Sequence, residues 1–429
     1  EVENISSVKT NLSNFKVCKI LKATKHPDAD KLKICDVDIG DGHIAKVVCG
    51  ASNAKDGLVT VYASPGTVIP KNGIKLSIAK IRGVESFGML CSESELNISD
   101  SSEGIIELNS KKKIGVNFFN ENLDPMIDIS ITPNRSDCLG IRGIARDLAA
   151  SGEGIFLNPK LDKVKISSKK TAPVEIEKNS GCFQFGSCFI EGVKNQESPE
   201  WLKKDLESIG QKSISAIVDT TNYVMLDMNR PLHAYDADKL SGKIVVRKSN
   251  KSESFVSLDN KKYVLSSDDC VISDQSKILG LGGIIGGVSS STEISTSNIF
   301  LEAASFDPVS IAKSSKKLGL LTDAKYRFER GVDPTSIEEG LIKASKLIQE
   351  ICGGKIGPIT IVGKSTYKEK KINFTLANFK KLIGFEISSS ESVKILENLG
   401  FGVKNKKHTL ELIVPSFRPD INQEVDVIE

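Results

Sequence analysis

From residue 14 to about 108, no apolar run survives more than a few residues before a turn breaks it, and that punctuation restricts the segment to short strands. The runs lie at 15–20, 32–37, 44–48 and 58–61, and the breaks are Gly-Asp-Gly at 40–42, Pro65-Gly66 and Asn72-Gly73. A small all-β barrel or sandwich satisfies this pattern, and an OB-type barrel is the first expectation.

The rest of the chain changes character. Its 429 residues exceed what one hydrophobic core organises, so three domains are expected, at 7–118, 119–365 and 366–429. A helix is predicted over 139–150, with Ile141, Ile144, Ala145 and Leu148 on one face and Gly152 as its stop. Between 163 and 358 strand-like runs (186–190, 244–247, 271–273, 299–301) mix with helical ones. The clearest helix is 336–352, where Ser336 and Glu339 have capping-box spacing and Leu341, Leu347, Ile348 and Ile351 form an apolar stripe. Beyond 371 come two short helices, 375–383 before Gly384 and 390–399 before Gly400, then a strand at 409–415. The expected fold class is multidomain α+β: an N-terminal OB-fold β-barrel, a central mixed α+β domain and a small C-terminal α+β domain.

Composition excludes some classes and leaves others open. No apolar run approaches the roughly 18 residues of a membrane span. A net charge of +3 neither establishes nor excludes nucleic-acid binding, because phosphate affinity follows clustered charge. Nine cysteines at irregular spacing, an odd number without a CxxC pair, argue for reduced thiols in a cytoplasm over a disulfide framework or a zinc site. Glu1 opens the chain without a signal-peptide pattern, so the start reads as a truncation, and residues 423–429 read as the opening of a helix.

Three ordered motifs mark the first segment: His26-Pro-Asp-Ala-Asp-Lys-Leu32, Val48-Cys-Gly-Ala-Ser-Asn53 and Ser86-Phe-Gly-Met-Leu-Cys-Ser92. Together they resemble the tRNA-binding OB module of synthetase subunits. Lys31, Lys33, Lys46, Lys71, Lys75 and Arg82 are candidates to meet phosphates, and Phe87 to stack on a base. Taken singly, the lysines read equally well as solvated surface charges and Phe87 as a hairpin residue.

Four longer blocks follow: ISAIVDTTNYVMLDMNRPLHAYDAD at 214–238, GLGGIIGG at 280–287, FLEAASFD at 300–307 and GLLTDAKYRFERGVDP at 319–334. In this order they resemble the core of the bacterial phenylalanyl-tRNA synthetase beta subunit, over nearly the whole chain. The resemblance implies a site that hydrolyses tyrosine wrongly esterified to phenylalanine tRNA, with His233, Glu302, Thr322, Ala324, Gly286, Thr221 and Asn222 at pocket positions. It further implies an alpha subunit that performs ATP-dependent charging in an α2β2 heterotetramer.

The chemistry suits such a site. A pocket that accepts phenylalanine cannot strongly exclude a ring that only adds a hydroxyl, whereas a site built to bind that hydroxyl rejects the analogue lacking it by up to ~10⁴-fold. Glu302 is the candidate acceptor, since a carboxylate accepts a phenol O–H strongly. Ala324 leaves room for the ring, Gly286 allows close backbone approach, His233 is placed to orient water or the terminal ribose, and Thr322 to hold the amino-acid end. Read without the resemblance, a lone His after Pro-Leu is more often structural, and the glycine-rich run lacks the Lys-Ser/Thr ending of a phosphate loop.

At the C-terminal end, by the same resemblance, Asp420, Asp426 and Glu429 match positions assigned to a magnesium ion, together with an acidic residue beyond Glu429. Oxygen ligands suit that cation, but acids in a first helical turn also serve as caps. Two other readings remain: a noncatalytic tRNA-binding scaffold, and a free-standing hydrolase that edits in trans.

Overall fold

The computed structural model describes residues 1–6, 14–40, 42–98, 104–110, 112–119, 126–158, 163–406 and 409–429. The expected domain start at residue 7 and Asp41 of the 40–42 turn lie outside these residues. By contact density the chain divides into two compact units, Glu1–Ser130 and Ile131–Glu429. The architecture is mixed and multidomain, with several separate sheets. No helix among the described residues is long and apolar enough to cross a membrane.

In the first unit the turn-punctuated runs become β1 (Phe15–His26), β2 (Ala29–Asp38), β3 (Ile44–Cys49), β4 (Val59–Ala63) and β5 (Met89–Leu90), in the order β3-β2-β1-β4-β5, all antiparallel. All five residues of β4 are buried, because Tyr62 packs with Cys18, Val37 and Val47 on one side while Val61 and Ala63 pack with Phe15, Ile69 and Cys91 on the other. Beyond the ladder, the Phe87 N–H donates to the Lys46 carbonyl (2.8 Å) and the Val48 N–H to Ser86 Oγ (3.0 Å), which ties edge strand β3 to the residues preceding β5.

The second unit opens with α1 (Ile141–Ala150). Its predicted apolar face is not its buried face: Ile141 and Leu148 are exposed, while Gly143 and Ala149 are buried. Arginines explain the difference, because Arg142 and Arg146 turn inward to Glu339 and Asp137 and direct the helix by ion pairing.

Two five-stranded sheets follow. One is built on β7 (Cys182–Glu191), β8 (His233–Asp236), β13 (Asn298–Phe306) and β14 (Lys355–Ile356), ordered β8-β13-β7-β14, with β15 (Thr360–Gly363) also on β7. The other runs β6 (Val174–Ile176), β9 (Ile244–Lys248), β10 (Cys270–Ser273), β11 (Ile278–Leu281) and β12 (Ile285–Gly286) in that order.

The two-residue period of β13 sorts its side chains. Leu301 and Ala303 pack with Ala216, Ile217 and Val224 of α2 (Ala216–Met228) and with Leu341 and Ile348 of α4 (Ile337–Cys352). Phe300 and Ala304 face the opposite way, into a core shared with Phe185, Tyr235, Val271 and Leu281. Glu302 lies between Phe300 and Ala304 on that second face, which points a carboxylate into an apolar space between the sheets.

The expected capping box of α4 does not form. Ser336 Oγ donates to the Asp333 carbonyl (3.0 Å) and accepts from Arg230 Nε (2.9 Å), while Glu339 pairs with Arg142 at 2.5 Å. Further along, β16 (Lys370–Phe374), β17 (Gly402–Lys406) and β18 (Thr409–Val414) form a sheet with β18 central, packed with α5 (Leu376–Ile383) and α6 (Ser389–Asn398). Thr375, expected as the first helical residue, caps α5 through the Asn378 N–H, and Gly384 ends it in the left-handed region at φ +94°, the stop that the sequence predicts. The chain finishes in α7 (Glu424–Ile428).

Candidate functional site

A cavity of about 80 Å³ opens where the edge of β8 meets β11 and β12, lined among others by His233, Tyr235, Gly286, Glu302, Ala324 and Phe328. Four predicted residues meet there: His233, Gly286, Glu302 and Ala324. The cavity wall forms without Thr221, Asn222 and Thr322. Thr322 Oγ1 donates to the Ile284 carbonyl (2.7 Å) and accepts from Lys325 N–H (3.1 Å), so it caps α3 (Asp323–Phe328) and fixes that helix to a wall residue. Thr221 is buried on α2, where its hydroxyl donates to the Val218 carbonyl.

Pairing of the strands explains the convergence. His233 sits directly opposite Glu302 across the β8–β13 ladder, so both side chains leave the sheet on one face. Tyr235, two residues on, shares that face, and its hydroxyl donates to Glu302 Oε2 at 2.5 Å. The His233 ring packs edge-on against Tyr235, with centroids 4.4 Å apart. On the other wall Gly286 lies so close that a Cβ there would stand 2.4 Å from Cε1 and 2.7 Å from Nε2 of His233. Glycine is therefore needed at 286 to admit the imidazole.

The polar groups are held out of their ordinary charge states. Burial with no cation at hand pushes the Glu302 carboxyl up to about 7, opposed by the Tyr235 hydrogen bond. The same desolvation lowers His233 to about 4, so its imidazole is neutral at neutral pH. His233 Nε2 is buried and among the described residues has no hydrogen-bond partner. A neutral ring nitrogen without a protein partner can pair with a water or a hydroxyl that reaches it, while a carboxyl that ionises near neutrality accepts a phenol O–H fully only above its midpoint.

At ~80 Å³ the space is smaller than the ~150 Å³ enclosed apolar void that accommodates a benzene ring. Sequence reasoning missed Tyr235 and Phe328. The alternation His233-Ala234-Tyr235 could have revealed the first, since it places two polar rings on one strand face.

In the first unit Lys31, Lys46, Lys75, Arg82 and Phe87 are exposed. Lys33 is tied instead to the backbone carbonyls of Ser52 (3.0 Å) and Ala54 (2.6 Å), and Lys71 donates to Ser94 Oγ. His26 is buried, with Nδ1 accepting from the Asp28 N–H and Nε2 on the Ile81 carbonyl, which fixes the β1–β2 turn.

The C-terminal carboxylates do not gather. Asp420 uses both oxygens on Arg418 (2.8 Å each), and Asp426 Oδ2 accepts from the Asn422 and Gln423 amides (2.7 and 2.9 Å), the latter within a capping box. Among the described residues, Asp420, Asp426 and Glu429 do not form a group with ligand atoms within 4.8 Å of one another. Among the described residues the acidic or thiol group with ligand atoms mutually within 4.8 Å is Asp137, Cys138 and Asp147, already neutralised by Arg135 at 2.7–3.1 Å.

Comparison with known proteins matches three domain families: a putative tRNA binding domain over residues 15–117, a B3/4 domain over 181–353 and a tRNA synthetase B5 domain over 372–429. The beta subunits of phenylalanine–tRNA ligase from Rhodopseudomonas palustris and Mesorhizobium japonicum are 45% and 41% identical, each over the whole of this chain and 54% of its own length. An N-terminal fragment of the Pyrococcus horikoshii phenylalanyl-tRNA synthetase beta subunit covers 70% of this chain and 84% of its own at 18% identity, with a TM-score of 0.37, too low to carry an argument. The chain spans about half the length of the curated relatives it matches, and within that span it belongs to the phenylalanine–tRNA ligase beta-subunit family.

Proposed function

We propose that this chain binds phenylalanine tRNA and hydrolyses tyrosine wrongly attached to it, while an alpha subunit in an α2β2 assembly performs the ATP-dependent ligation in the cytoplasm. The observation that carries the reading is the cavity where His233, Glu302, Gly286 and Ala324 converge, with the buried Nε2 of His233 lacking a partner among the described residues.

Within it, Glu302 accepts the phenol O–H of a bound tyrosine, which a phenylalanine ring leaves unpaired at a cost of desolvation. Ala324 yields space to the ring. Nε2 of neutral His233 holds the water that attacks the ester carbonyl; the acyl C–O bond breaks, tyrosine leaves and the terminal ribose recovers its hydroxyl. Depressed basicity makes His233 an orienting acceptor more than a strong base. Thr322 acts by fixing α3, and Thr221 and Asn222 by supporting the sheet from α2.

The domain limits proposed are 7–118, 119–365 and 366–429, supported by the three family matches. The first would be an OB-type barrel, a reading supported by the bonds from Phe87 and Ser86 to β3. Its exposed Lys31, Lys46 and Arg82 are proposed to meet tRNA phosphates and Phe87 to stack on a base, with Lys33 in a structural part. No step is assigned to magnesium.

Deacylation assays on the natively purified protein test the proposal. Tyrosyl-tRNA should be hydrolysed and phenylalanyl-tRNA spared, and Glu302→Ala should reduce that discrimination by ~10²-fold or more with the fold retained. Equal rates on both esters would sink the reading. No hydrolysis of either would favour a noncatalytic scaffold, and full activity without an alpha subunit a hydrolase acting in trans.

A further inference from the structure

Glu302 has one side-chain hydrogen-bond partner among the described residues, and it is a tyrosine. Tyr235 is 1% exposed, lies in the ladder two residues from His233 and donates to Oε2. Its ring contacts those of His233 and Phe300, with centroids 4.4 and 6.1 Å away.

We propose that Tyr235 is a specificity-positioning residue: by bonding one oxygen of Glu302 it fixes that carboxylate's orientation and favours its ionised form, leaving the second oxygen for the phenol of a bound tyrosine. This rests on the editing function proposed above.

The surroundings leave Tyr235 as the group placed to do it. Other titratable groups interacting with Glu302 are Cys182 from β7 and Cys270 from β10, both held as neutral thiols by burial, and opposite it in the ladder stands His233 from β8, held as a neutral imidazole. Ala324 and Phe328, which α3 contributes to the cavity, carry no charge. Desolvation drives Glu302 toward its neutral form, and the Tyr235 O–H opposes it. A neutral carboxyl would offer its own proton and accept the substrate hydroxyl only through its carbonyl oxygen, which blurs the distinction between tyrosine and phenylalanine.

The test is the pH profile of tyrosyl-tRNA deacylation from pH 6 to 8.5, corrected for spontaneous hydrolysis, for the natively purified protein and Tyr235→Phe. The variant's midpoint should move up by about one unit, since a charge-assisted hydrogen bond is lost. KM for the tyrosyl ester should rise about fivefold at pH 7 with kcat changed less, and both should recover toward pH 8.5. A purely structural part would lower rates at every pH without moving the midpoint.

An unmoved midpoint in an active, folded variant overturns the role of Tyr235 while leaving the editing reading intact. Absence of deacylation in the unaltered protein overturns both. Should Tyr235→Phe not fold, 3-fluorotyrosine at 235, a stronger donor of the same shape, should move the midpoint down; no movement overturns the proposal.

Discussion

Two sets of carboxylates in this chain meet opposite fates. Glu302 is enclosed between two sheets with a single hydroxyl donor, and its carboxyl is pushed up to about 7. Asp426 is half-buried at the start of α7, where two backbone amides hold it below the usual range, and Asp420 pairs through both oxygens with Arg418. Asp420 has committed both oxygens to the fold and Asp426 its Oδ2. Glu302 retains acceptor capacity, at the cost of desolvation, and unspent capacity is what recognises a ligand.

The largest effect expected from this contrast is on stability against pH. A carboxyl raised from 4.5 to about 7 contributes stability present below pH 4.5 and lost as pH rises toward 7, because the unfolded chain releases that proton first. The loss is about 3 kcal/mol. His233, lowered to about 4, runs the other way: its contribution is present above 6.5 and lost as pH falls toward 4. In the unaltered protein the two slopes largely cancel. Glu302→Gln removes one of them, so urea unfolding should show its stability relative to the parent rising by about 3 kcal/mol between pH 4.5 and 7.5. A flat difference would place Glu302 in a well-solvated setting and remove the contrast with Asp426.

Next in size is Gly286→Ala. The new methyl would stand 2.4 Å from the His233 ring, which must rotate or retreat, and displacement of a positioned group by about 1 Å costs up to ~10²-fold in rate. Deacylation should fall by that order while tRNA binding, measured by filter retention, stays within about twofold. Unchanged deacylation would show that the imidazole has no fixed position to lose.

How much of this was legible in the sequence depended on how local the determining force was. Thr375 and Gly384 are each set by one helical turn: Gly384 stops α5 where the pattern puts it, and Thr375 caps it one position before the first helical residue. The turn-broken strands of the first unit likewise follow from residues a few positions apart. Ser336 and Glu339 carry a helix-start pattern too, yet Arg230 and Arg142, more than a hundred residues away in sequence, claim both side chains. Inward ion pairs also reverse the buried face of α1, where hydrophobicity alone points to Ile141 and Leu148. At the site, His233, Glu302, Gly286 and Ala324 were nameable through resemblance. Tyr235 became visible only when the β8–β13 register set it against Glu302.

The smallest effect belongs to the exposed end. Asp426→Asn keeps an oxygen for the Asn422 and Gln423 amides and removes the charge, so α7 keeps its cap and Tm should fall only slightly. A magnesium ion shared with Asp420 would first have to draw that carboxylate from a two-bond pairing with Arg418, which is itself only 9% exposed. Isothermal titration of magnesium should therefore give the same response in the variant as in the parent. If the parent binds the ion and Asp426→Asn does not, the C-terminal carboxylates leave their hydrogen bonds for a metal, and spent capacity at one end of the chain is recoverable by a ligand after all.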